Sequence, residues 1–211
     1  MSTDIEITDL GQFSKKFHKT YELFKNNLEN NEEVGASFAV YQGGACLIDL
    51  YGGYRDRDKK NKWDQDTIVN VHSTSKGIVA MIVAKLIDEG NLELNKNVSD
   101  YWPEFSELGK ENIKVKTLLS HQAGLYGWRQ PIDETDFYNW DYVVDLLAKQ
   151  EPYHKPEEKI CYHPKTIGFL VGELIKRVTN KSVGKNLEDL LNHPLKTKCF
   201  IGTPLTYHDN I

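Results

Sequence analysis

Residues 74–89, TSKGIVAMIVAKLIDE, constrain the fold more than any other stretch of the chain. Ile78, Val79, Ile82, Val83, Leu86 and Ile87, with Ala80, Met81 and Ala84, cover most of a helical circumference. A helix that is apolar nearly all round is expected to be buried, so layers should cover it on more than one side. Gly90 ends it, as a glycine after the last turn should. Lys85 and Asp88 interrupt the run, which falls short of the ~20 residues that span a bilayer. A core helix is therefore expected, not a membrane one. Directly before it stands the polar cluster Ser73-Thr74-Ser75-Lys76.

The rest of the chain supplies material for those layers. Phe13, Phe17, Tyr21, Phe24 and Leu28 recur at helical spacing, which predicts an amphipathic helix over residues 10–30. Ser37–Tyr41 and Ala45–Tyr51 read as strands around Gln42-Gly43-Gly44, a hairpin signal. Leu92–Phe105 is turn-rich and Val115–Ser120 reads as a short helix. Helices are also predicted over residues 139–150 and 166–179 and near 184–192. The 211 residues fit one large domain or two small ones. A net charge of −5 with no basic stripe predicts no nucleic-acid partner. The N-terminus has no signal- or transit-peptide pattern. Cys46, Cys161 and Cys199 are odd in number and widely spaced, which points away from a disulfide framework and toward a reducing, cytoplasmic setting with no membrane partner.

Ser73 and Lys76 stand at i and i+3, neighbours on one helical face. A serine hydroxyl is a weak nucleophile until a base takes its proton. A lysine can serve as that base only when neutral, and desolvation disfavours its charged form. A helix N-terminus also offers free backbone N–H groups that could hold an oxyanion. The competing reading makes Ser73 an N-cap and Lys76 a solvated first-turn residue. Spacing alone does not separate the two, because Ser182-Val183-Gly184-Lys185 has the same spacing before a surface-type amphipathic pattern. That second pair reads as a helix start.

The wider context resembles the serine β-lactamase and penicillin-binding-protein superfamily, nearest its class C-like branch of β-lactamase-related esterases. The Ser-x-x-Lys box belongs to that family's motif set. In order follow "LELNKNVSDYWPEF" (92–105), "LLSHQAGL" (118–125), "YHPKTIGFLVGELIKRVTNKS" (162–182) and "HPLKTKCFIGTP" (193–204). The resemblance implies an α/β (α+β) β-lactamase-like fold: a helical subdomain, with an N-terminal helix and a hairpin of an antiparallel sheet. The expected division is an N-terminal helix over 1–34 and a partial β-lactamase-related domain over 35–211. It further implies a serine hydrolase that passes through an acyl-serine on a small ester or amide and needs no metal or cofactor. By the same resemblance Ser73 is the nucleophile, Lys76 assists its deprotonation, and Tyr162 shares in proton transfer. His163, next to Tyr162, is expected to line the substrate site. His121 is read as a hydrogen-bonded packing residue and His72 as support for the turn before the helix. Cys161-x-His163 by itself makes a weak metal site.

The resemblance also has gaps. Tyr162-His163-Pro164 replaces the usual Tyr-x-Asn, which favours an ester or small amide over a β-lactam. The glycine usual after the proline before that box is absent, since Glu157 follows Pro156. The later strands of the family's sheet, with their Lys-Thr-Gly or His-x-Gly box, have no counterpart here. A chain without them is expected to leave a sheet edge open to self-association. Losing one oxyanion donor typically costs ~100- to 1,000-fold in rate, so weak or impaired hydrolysis is expected. The rival reading is a non-catalytic interaction or scaffold protein derived from this fold.

Overall fold

A computed structural model describes residues 6–9, 11 and 15–211 of the chain. It divides into two compact units, one up to Asn70 together with Pro204–Ile211, the other Val71–Thr203.

In the first unit, strands β1 (Ile7–Asp9), β2 (Gly35–Gln42) and β3 (Ala45–Gly53) form an antiparallel sheet in the order β1-β3-β2. Gly43 and Gly44 both take positive φ, 57° and 78°. Such a two-residue connection matches the twist of the strands it joins and favours glycine at both positions. The predicted hairpin is therefore present. β1 was not legible in the sequence. Its pairing of Ile7, Thr8 and Asp9 with Gly52, Tyr51 and Leu50 is long-range. Helix α1 covers His18–Glu29 after a 3-10 turn at Lys15–Phe17. Residues 10 and 12–14 of the predicted helix, Phe13 among them, lie outside the described residues. Leu28 of α1 is buried, as are Ile48 and Leu50 of β3. The Ile68 N–H donates to the Asn210 carbonyl, which ties the 3-10 turn Leu205–Asn210 into this unit.

The second unit holds α2 (Ser75–Asp88), α3 (Val115–Leu119), α4 (Trp140–Lys149), α5 (Thr166–Thr179) and α6 (Val183–Leu187). α6 runs through a π turn at Glu188–Asn192 into α7 (His193–Leu195). α5 is the central helix. Ile167, Leu170, Val171, Leu174 and Ile175 are all buried, at the i, i+3, i+4, i+7, i+8 spacing of a core-facing stripe. Trp102 and Phe105, on the turn-rich 92–105 segment, fill the same core, their ring centroids 5.1 Å apart. Gly172 admits the Trp140 ring, since a Cβ there would sit 2.6 Å from its Cη2. Gly172→Val should therefore cost about 1–3 kcal/mol through overpacking, read as a lower urea midpoint with unchanged slope.

One expectation is overturned. The α2 helix is not buried all round: Ile82, Val83 and Leu86 are buried, whereas Ala80, Met81 and Ala84 are exposed, Met81 at 47%. Its core contacts in this unit come from one side, through α5 and α6. Periodicity reports how apolar a helix is; what covers it depends on packing partners. Among the described residues no helix is long and apolar enough to cross a membrane.

Candidate active site

The turn that carries Ser73 is a 3-10 turn, His72–Thr74, set directly before α2. His72 opens it at φ 45°, a conformation costly for a residue with a Cβ. That turn leaves the Ser73 side chain exposed. One helical turn on, Lys76 brings its ammonium back to the serine, and its Nζ donates to Ser73 Oγ at 3.0 Å. Lys76 is half-buried rather than buried. What engages its charge is the serine hydroxyl and the face of the Tyr162 ring, whose centroid lies 5.2 Å from Nζ.

Tyr162 comes from the far end of the unit, on the stretch just before α5. Its hydroxyl lies 3.1 Å from Ser73 Oγ, where either oxygen could donate. The hydrogen bond with Ser73, and then the one with Lys76, hold the Tyr162 phenol below its usual range. Stabilising the phenolate in this way raises the share of Tyr162 that is deprotonated and able to accept a proton at neutral pH.

The second Ser-x-x-Lys pair behaves differently. Ser182 Oγ accepts from the Lys185 backbone N–H at 3.2 Å and caps α6. The Lys185 ammonium turns away to Glu188 at 2.7 Å and Asp189 at 3.6 Å. Identical spacing thus yields a helix cap in one place and a serine–lysine contact in the other.

His163 does not line the site, contrary to expectation. Its side chain is fully buried. Nε2 accepts from the Leu125 N–H at 3.0 Å, and Nδ1–H donates to the Cys161 carbonyl at 2.6 Å. Both ring nitrogens are taken, and burial pushes the imidazole down to about 4. The residue anchors the 161–163 stretch to the 121–125 loop. Its contact with Cys161 is to the carbonyl, not the thiol.

His121 is hydrogen-bonded and packed, and it touches the tyrosine. Its ring centroid is 5.1 Å from that of Tyr162, and its Nδ1 accepts from the His163 N–H at 3.1 Å. Burial, with Lys76 nearby, lowers its pKa. Glu157, which stands where the resemblance leads one to expect glycine, takes φ 69°. It is held there by its N–H to the Gln122 carbonyl at 2.9 Å and by Thr117 Oγ1 donating to its carboxylate at 2.6 Å. A cavity of about 660 Å³ beside Lys76 was not legible in the sequence. It is lined by Lys76, His121, Val79, Trp140, Phe169 and Ile201 among others. These residues come from separate elements, so no local pattern marks them.

Residues 22–204 match the profile of the family described as Beta-lactamase. The chain belongs to the beta-lactamase family. It is similar to "Esterase/beta-lactamase LipL" of Mycobacterium tuberculosis, 32% identical over 187 residues, covering 89% of this chain and 43% of that protein. It is also similar to a "Teichoic acid D-alanine hydrolase" of Staphylococcus aureus, 28% identical over 181 residues, covering 86% of this chain and 43% of that protein. Among solved structures, a family VIII carboxylesterase superposes with a TM-score of 0.91 at 37% identity, over 97% of this chain and 56% of that one. A penicillin-binding protein homologue from Caulobacter crescentus gives 0.91 at 36% identity, over 97% and 55%. The chain thus spans about half the length of the relatives it matches. The fold is the β-lactamase-like one expected from the boxes, with its helical unit and small antiparallel sheet.

Proposed function

We propose that this chain carries the nucleophile half of a serine hydrolase site that acts on a small ester or amide through an acyl-serine. Ser73 Oγ attacks the carbonyl carbon, and its proton passes to Tyr162 as the phenolate or to Lys76 as the neutral amine. The tetrahedral intermediate collapses as the leaving alcohol or amine takes that proton back. Water then attacks the acyl-serine by the same proton route and releases the acid. The observation that carries this reading is the Ser73 hydroxyl held at once by Lys76 and Tyr162, at 3.0 and 3.1 Å. A lowered phenol beside the nucleophile supports Tyr162 as the proton carrier. The cavity beside Lys76 gives room for an apolar substituent of the substrate. His163, with both nitrogens engaged, acts as a positioning residue. The names of the relatives, an esterase/beta-lactamase and a carboxylesterase, support the ester as substrate.

The test is intact-mass detection of a fluorophosphonate adduct, located on Ser73 by peptide mapping and absent from Ser73→Ala. Folded protein that takes no label on Ser73 would overturn the reading. The exposed flank of α2, with Ala80, Met81 and Ala84, favours the interaction-protein reading as a second possibility. A stable homo-oligomer inert to the probe, seen by light scattering, would support that one instead. Self-association through a sheet edge belongs to the same reading.

A further inference from the structure

His121 grips the chain on both sides of Tyr162. Its carbonyl accepts from the N–H of Cys161, the residue before the tyrosine, at 3.1 Å. Its Nδ1 accepts from the N–H of His163, the residue after, at 3.1 Å. Its ring lies against the tyrosine ring, at 56° between planes. To do all this, His121 adopts φ 61°, which is unfavourable for a side chain of its size. A strained residue that brackets one half-exposed side chain from both flanks is placed to orient it.

We infer that His121 is a positioning residue that sets the Tyr162 phenol against Ser73, and that it does so only as a neutral imidazole with Nδ1 free to accept. The inference rests on the acyl-serine reading of Ser73, Lys76 and Tyr162. Protonation puts a hydrogen on Nδ1, so the His163 N–H loses its acceptor and the tyrosine loses one of its two brackets. The groups that face His121 are Lys76 of α2, the Tyr162 ring and the His163 imidazole, with His72 and Lys165 on the wall of the shared cavity. None is a carboxylate, so none of them stabilises the charged ring. Burial and the Lys76 charge both favour the neutral form.

The test is the rate of Ser73 labelling by a fluorophosphonate from about pH 8 to about pH 4.5, a range that extends below ordinary histidine titration because burial and Lys76 lower that of His121. It compares wild type, His121→Ala and His121→Asn, with circular dichroism at each pH. Asparagine tolerates positive φ and its amide oxygen accepts at every pH, so it keeps the bracket without titrating. His121→Ala should slow labelling by about tenfold at pH 8, the loss expected for a hydrogen bond that orients a reacting group. His121→Asn should restore the rate to within about threefold of wild type and remove the part of the acid decline that follows His121 protonation, tracked by its ring NMR signals. The inference is wrong if His121→Ala labels like wild type, or if His121→Asn keeps the wild-type acid decline. If wild type takes no label at any pH, the acyl-serine reading is what has failed. The inference is then judged by the Tyr162 phenol titration, read by ultraviolet difference against Tyr162→Phe. His121→Ala must shift that titration and His121→Asn must not. Should the alanine variant fail to fold, the asparagine variant alone still decides the matter.

Discussion

Replacing Lys76 with methionine should slow acylation of Ser73 by about 10²- to 10⁴-fold, the span that a positioned acid–base group contributes. Methionine keeps the half-buried stem and removes the ammonium, so the loss reports the charge and its proton rather than packing. The measurement is the pseudo-first-order rate of fluorophosphonate labelling by intact mass. Lys185→Met supplies the internal control, because that lysine is held by Glu188 and Asp189 on the surface of α6. It should label at the wild-type rate. A Lys76→Met rate within about threefold of wild type would remove Lys76 from the proton path, since a general acid–base group cannot be that dispensable.

Removing the buried Glu173 carboxylate should destabilise the helical unit by about 1–3 kcal/mol, the cost of leaving its hydrogen-bond partners unsatisfied. Glu173 is 4% exposed. Its carboxylate accepts from Trp140 Nε1–H at 2.7 Å and from Arg177 Nε at 2.7 Å. Arg177 continues to Glu104 at 2.9 Å, and its guanidinium lies 5.9 Å from the Trp102 ring centroid. The network thus joins α4, α5 and the 92–105 segment. In Glu173→Ala the half-buried indole N–H loses its acceptor, while the exposed Arg177 keeps Glu104, which limits the loss. Glu173→Gln keeps an acceptor for the indole and should cost about half as much. Urea unfolding followed by circular dichroism reads both as midpoint shifts with unchanged slope. An alanine variant within about 0.5 kcal/mol of wild type would show that the network adds nothing, because that is the scatter of ordinary surface substitutions.

The two serine–lysine pairs show how far local sequence reaches. Spacing of i, i+3 guarantees proximity on a helix, and both pairs have it. What the lysine does there depends on what else lies within reach. For Lys185 the nearest groups are Glu188 and Asp189, three and four residues on, so the surface reading was legible locally. For Lys76 the deciding neighbour is Tyr162, 89 residues from Ser73. Only the ordered set of boxes hinted at that approach. The burial of His163 was not legible for a related reason. In irregular backbone no period says which way a side chain points, and here it turns inward to Leu125.

The sequence by itself determined the helices, the glycine turn of the hairpin, the family and the order of the boxes, because these depend on contacts within a few residues or on pattern. Tertiary structure alone decided that β1 joins the sheet, that α2 is covered on one side, that Lys110 lies buried with its ammonium on the carbonyls of Glu107 and Gln150, and that His121 braces Tyr162. Each of these joins groups that are distant along the chain or set by irregular backbone. Packing, not local propensity, settles such contacts.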